Sequence, residues 1–165
     1  MIKRIALVGA LAMAFGQPAL ADGKIYVQLP DLSSYEGQAA EAMLKRVVMA
    51  NVVSSNCVDY EITSEDWSLL TDSADLLAYG QLKLDVNDYD DTYYKPAFDA
   101  LDEPGTCETF GPDVEVVLDE LVAHGGSREA LPDQDKGYVE WRALMDRLEA
   151  EAQAAQPSAK VKSKS

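Results

Sequence analysis

The chain has 165 residues, with 29 Asp and Glu against 14 Lys and Arg, a formal net charge of −15. That balance lacks the clustered cations that nucleic-acid phosphates require, and it argues against binding to an anionic membrane surface. It is compatible with a basic protein partner or with solubility alone.

Lys3 and Arg4 open the chain, Ile5 to Phe15 forms an apolar run, and Ala19-Leu20-Ala21 places small residues where a signal peptidase reads. This pattern predicts a secretory signal peptide over residues 1–21, cleaved after Ala21. The expected location is periplasmic or secreted. Without Lys3 and Arg4 the mature chain carries 12 basic and 29 acidic residues, a net −17. No second long apolar run follows, so the mature form is not expected to span a membrane. In an oxidising compartment the only two cysteines, Cys57 and Cys107, are expected to pair as one disulfide. Neither lies in a Cys-x-x-Cys motif or beside a basic residue, so a redox-active role is disfavoured.

Residues 22–153 read as one helical domain. Ile25, Val27 and Leu29 alternate with Tyr26 and Gln28 before Pro30, which predicts a short extended arm packed on the body rather than a sheet. Ser33 or Ser34 is the expected cap of a first helix reaching about Ser55, with Ala39, Met43, Val47 and Ala50 on its apolar face. Glu41 and Lys45 stand at i,i+4 and suit an ion pair. The valines at 47, 48, 52 and 53 leave a strand as the competing assignment. Thr63 and Asp66 resemble a capping box opening a second helix to about Gln81, with Trp67, Leu70, Ala74 and Leu77 facing inward.

Asn87 or Asp88 can start a third helix carrying Tyr89, Tyr93, Ala97 and Leu101, which Pro96 should kink or split. Gly111-Pro112 suits the start of a fourth helix bearing Val114, Val117, Leu118 and Leu121, and Gly125-Gly126 suits its end. A last helix presents Tyr138, Trp141, Met145 and Leu148 on one stripe. Residues 154–165 turn to Ala, Gln, Pro, Ser and Lys and read as a disordered basic tail. The expected fold is all-α: a single-domain bundle of four to five helices with a short extended N-terminal arm.

No nucleophile motif, phosphate loop or zinc-protease motif occurs, so the chain is expected to be non-catalytic and to need no cofactor. The cluster Asp85, Asn87, Asp88, Asp90 and Asp91 raises calcium as a ligand. Counted from Asp85, however, the fifth loop position is Tyr89, the sixth is Asp90 instead of Gly, and the twelfth is Pro96 instead of Glu, so the EF-hand pattern fails. A helix start carrying acids explains the cluster more simply. The lone His124 precedes Gly125-Gly126, where the negative end of a helix favours it. Tyrosine combines apolar area with a polar tip, so Asp88, Tyr89, Asp90, Asp91, Tyr93 and Tyr94 form the candidate partner surface, although the same tyrosines at helical spacing also suit a core.

The plan of signal peptide, helix, Asn56-Cys57, helices, Cys107 and helix resembles small exported bacterial helical families of unknown function with one long-range disulfide. Periplasmic acid-stress chaperones of the HdeA type, and periplasmic immunity proteins of secreted-effector systems, share parts of this plan. The resemblance implies a periplasmic helical domain and carries no catalytic residue over. The expected role is protein interaction, with another envelope or exported protein as partner. The alternatives are an acid-stress chaperone, an immunity protein, or an enzyme with a dispersed site.

Overall fold

The computed structural model describes residues 23–156. The expected signal peptide, residues 1–21, and most of the expected basic tail, residues 154–165, lie outside them. At its centre is α1 (Gly37–Asn56), which packs against nearly every other helical element. Ala40, Met43, Leu44, Val47, Val48, Ala50, Val52 and Val53 are all buried. The first half of α1 keeps a wet face with Glu41 and Lys45, but from Val47 to Ser54 every residue except half-buried Met49 is buried, and a helical stretch enclosed on all sides belongs in a core. That settles the valine run: packing on every side outweighs the modest strand preference of β-branched residues. It also corrects the expected stripe, since Ala39 is exposed and Ala40 and Leu44 point inward. The start is corrected too. Asp31 Oδ1 accepts the Ser33 N–H, so the serines belong to a turn, and the helix begins at Gly37, whose φ of +50° suits glycine.

Helix α2 (Ser64–Asp75) starts as the capping-box reading expects: Thr63 Oγ1 accepts the Asp66 N–H at 3.1 Å. It continues through a π-helical turn, Leu76–Gln81, as one rod. Asp66, Leu69, Leu70, Ser73, Ala74 and Leu77 face inward, while Trp67, expected on this face, is 40% exposed.

The next rod is α3 (Val86–Tyr89), a π turn (Asp90–Tyr94) and α4 (Lys95–Ala100). Asp85 is the cap, its Oδ1 accepting the Asp88 N–H at 2.9 Å, where Asn87 or Asp88 was expected. Pro96 neither splits nor ends the rod. A proline ring clashes with the carbonyl four residues earlier. Here the preceding π turn, in which Lys95 N–H donates to the Asp90 carbonyl five residues back, widens the helix where that clash would fall.

Short α5 (Thr106–Phe110) leads to α6 (Asp113–Ala123), whose Val114, Val117, Leu118 and Leu121 are buried as the periodicity requires. The Cys57–Cys107 disulfide ties the end of α1 to α5. Helix α7 (Gln134–Ala155) closes the bundle, capped by Asp133 and reaching past the residue 153 boundary expected for the domain. Met145, Leu148 and Ala152 are buried, whereas Tyr138, expected on that stripe, is exposed.

The N-terminal arm makes no sheet. Val27 and Ala130 form one isolated antiparallel bridge. Leu131 N–H donates to the Tyr26 carbonyl, Ser127 N–H to the Gln28 carbonyl, and the Gln134 side chain closes both polar groups of Tyr26's backbone. Among the described residues the result is an all-α bundle of five helical rods, with short α5 and an extended arm, 68% helical. Among the described residues, no helix is long and apolar enough to cross a membrane.

Candidate functional site

The segment expected to meet a partner divides by face. In the rod 86–100, Tyr89 and Tyr93 are only 5% and 6% exposed, and Tyr94 is partly buried. Tyr79 and Tyr94 pack around Tyr89, with ring centroids 5.5 and 5.3 Å away. The tyrosines therefore belong to the core, which corrects the aromatic half of the expected surface: rod 86–100 packs on α1 and needs large side chains to fill the gap. Burial raises the phenol pKa of Tyr89, Tyr93 and Tyr94.

The acids remain outside. Asp88, Asp90, Asp91 and Asp99 are exposed, and Asp102 and Glu103 extend the same charge past the rod. Among the described residues, none of the ion pairs uses an acid between Asp85 and Glu108. Lys95 is the single cation within that stretch. Val86 and Phe98, 64% and 50% exposed, flank the carboxylates, and Phe98 stacks on Tyr94. The surface is thus acidic, with two exposed apolar side chains among its carboxylates. Among the described residues, no group of three or more His, Cys, Asp or Glu is placed to hold a metal ion.

Three polar networks escaped the sequence reading because their members are far apart in the chain. In the first, Glu120 accepts from Tyr35 Oη at 2.7 Å and from Arg46 Nη1 at 2.6 Å, and His124 Nε2 lies 3.3 Å from the same phenol. Burial works to raise the Glu120 pKa, but Tyr35 and Arg46 reverse it and leave it lowered, while burial and Glu120 push Tyr35 up to about 12. Arg46 thus serves Glu120, and the expected Glu41–Lys45 pair is not among the ion pairs of the described residues. In the second, Arg128 bridges Asp66 and Glu115.

The third lies where the arm, α2 and α7 meet. Lys24 Nζ donates to Asp72 Oδ1 at 2.5 Å, Trp141 Nε1 donates to the same oxygen at 3.0 Å, and Nζ sits 3.8 Å from the Trp141 ring centroid. Asp72 is 1% exposed. One helical turn on, burial and then the charge of Asp72 raise the Asp75 pKa to about 7, Lys24 opposing.

A cleft of about 530 Å³ opens beside the arm, with Lys24, Ser54, Glu61, Thr63 and Trp67 in its walls. A smaller cavity of about 180 Å³ is bounded by Tyr26, Asp72, Gly137 and Trp141. Comparisons with known protein families, with curated proteins and with solved structures find no match for this chain.

Proposed function

We propose that this protein is a non-catalytic interaction module of the periplasm or the secreted space, and that the face of residues 86–103 receives a basic partner protein. The observation that supports it is the run of exposed, unpaired carboxylates with the exposed Val86 and Phe98 among them. Unpaired surface acids raise the rate and selectivity of docking to a basic patch, and exposed apolar side chains supply area to bury. The polar groups elsewhere favour a non-catalytic reading, because Glu120, Asp66 and Asp72 are engaged by cations of the same chain. Acid acts on this fold in both directions, favouring it through Asp75 and weakening it at the Arg128–Asp66 and Arg46–Glu120 pairs, so these groups give no specific support to an acid-triggered chaperone.

The test is capture with the tagged protein after mild cross-linking in its own envelope. Capture is then repeated with Asp88→Lys/Asp90→Lys/Asp91→Lys. The expected result is a partner whose cross-links map to residues 86–103, whose association slows with salt, and which the triple variant loses. A partner retained in full by that variant, or none recovered at all, would refute this reading.

A further inference from the structure

Asp72 has a single occupied oxygen. Oδ1 takes both Lys24 and Trp141, while Oδ2 is buried without a hydrogen-bond partner. A carboxylate withdrawn from water is stable only when a cation answers it. Here the cation is an alkylammonium on the face of an indole, with the Tyr26 ring centroid 5.7 Å from the nitrogen. Carboxylate plus aromatic faces is the chemistry that selects ammonium ligands. The 2.5 Å contact to Oδ1 further requires an N–H donor, which excludes a quaternary ammonium, and the group seated there is a primary one.

The ammonium comes from the same arm that carries Tyr26, while the carboxylate and the indole come from helices. Asp72 lies on α2 and Trp141 on α7, and both border the 180 Å³ cavity, while Lys24 also stands in the wall of the 530 Å³ cleft. The arm's backbone bonds to residues 127–134 begin at Tyr26, one residue after Ile25. We propose that Asp72, Trp141 and Tyr26 form a binding site for small aliphatic primary amines, occupied in this structure by the chain's own Lys24. An incoming amine exchanges with the Lys24 side chain through the wider cleft. Lys24 is then an internal competitor, and the apparent affinity is scaled by the fraction of molecules in which it has left.

The proposal is tested with n-butylammonium as the probe and the Trp141 indole N–H resonance as the readout, since that proton is donated to Asp72. Butyltrimethylammonium and n-butanol are the controls. Lys24→Ala is expected to give a saturable shift with n-butylammonium alone, about tenfold tighter than the unmodified protein gives. Its thermal midpoint should rise with the amine, and Asp72→Asn should remove the response. No saturable shift in Lys24→Ala, an equal response to the controls, or a response that survives Asp72→Asn would overturn the proposal. Should Lys24→Ala fail to fold, the unmodified protein decides: a saturable, amine-specific indole shift supports the site, and its absence up to molar amine sinks it.

Discussion

Arg128 holds Asp66 with two prongs of its guanidinium, Nε to Oδ1 at 2.6 Å and Nη2 to Oδ2 at 2.9 Å. The same group reaches Glu115 on α6 through Nη1 at 2.7 Å. A residue in the loop before α7 thereby fastens the first turn of α2 to α6. Asp66 is buried, and burial alone would raise its pKa, but Arg128 and Thr63 outweigh it and leave it lowered.

Removing the arginine strands a buried carboxylate. Arg128→Ala is expected to cost about 2–3 kcal/mol near neutral pH, as for hydrogen bonds to charged groups, and Arg128→Lys to recover only part, having no fork. A folded pKa below the unfolded one means stability that is present above the unfolded value and lost as pH falls through the folded one. Urea midpoints should therefore differ most above pH 5 and converge in strong acid. A constant difference at all pH values would show that Arg128 acts only by packing.

Asp75 has the opposite sign. Its folded pKa of about 7 lies above the unfolded carboxylate value, so stability present at low pH is lost as pH rises from about 4 to 7. The groups that face it are Asp72, Lys24, Tyr89 and Glu149. Asp75→Asn removes the charge while keeping the shape. It should stabilise the protein at pH 8 by on the order of 3 kcal/mol and leave it nearly unchanged at pH 4. Urea titrations at the two pH values decide it; equal midpoints at pH 8 would place Asp75 in contact with water.

The Cys57–Cys107 bond closes a loop of 50 residues. The chain-entropy relation gives about 4 kcal/mol for a loop of that size. Since domains of this kind have roughly 5–15 kcal/mol in total, reduction should bring the protein close to unfolding at 37 °C. Thermal scans with and without reductant check this, with Cys57→Ser/Cys107→Ser expected to follow the reduced form.

Gly137 marks where the arm lies on α7. A Cβ there would stand 2.9 Å from Tyr26 Cβ and 3.1 Å from Leu131 Cδ1. Tyr26 Cβ is held by backbone that the loop pins on both sides, so it cannot swing away as a side-chain tip can. Overpacking costs about 1–3 kcal/mol, and the better helix propensity of alanine returns up to about 1 kcal/mol. Gly137→Ala is therefore expected to destabilise on balance and to raise amide exchange across residues 24–28. Unchanged protection there would mean the arm docks without needing the glycine.

The α6 stripe was legible because Val114, Val117, Leu118 and Leu121 recur at 3.6-residue spacing on a helix with one wet face. In α1 the stripe starts at Ala40 instead of Ala39 because neighbouring alanines give hydrophobicity no contrast to choose between them, and from Val47 to Ser54 burial on nearly every side leaves none either. Trp67 and Tyr138 were assigned inward by hydrophobicity, yet a large aromatic one position off the buried stripe can stay partly in water. Tyr89, Tyr93 and Ala97 are buried at the helical spacing that suits a core, and it is the packing of their rod on α1 that decides for the core over the partner surface the same tyrosines also suit.

By itself the sequence determined what depends on local spacing and composition: the helical class, the Thr63 cap, the extended arm, the acidic charge, and a single pairing for two cysteines. Only the tertiary structure decided which polar residues meet. Lys24 and Asp72 are 48 positions apart, Asp66 and Arg128 are 62, and Tyr35 and Glu120 are 85. Such contacts arise from how helix faces dock. Helical periodicity says which side of a helix is apolar; it does not say which distant charge burial will bring to that side, because the choice is made by the packing of the whole core.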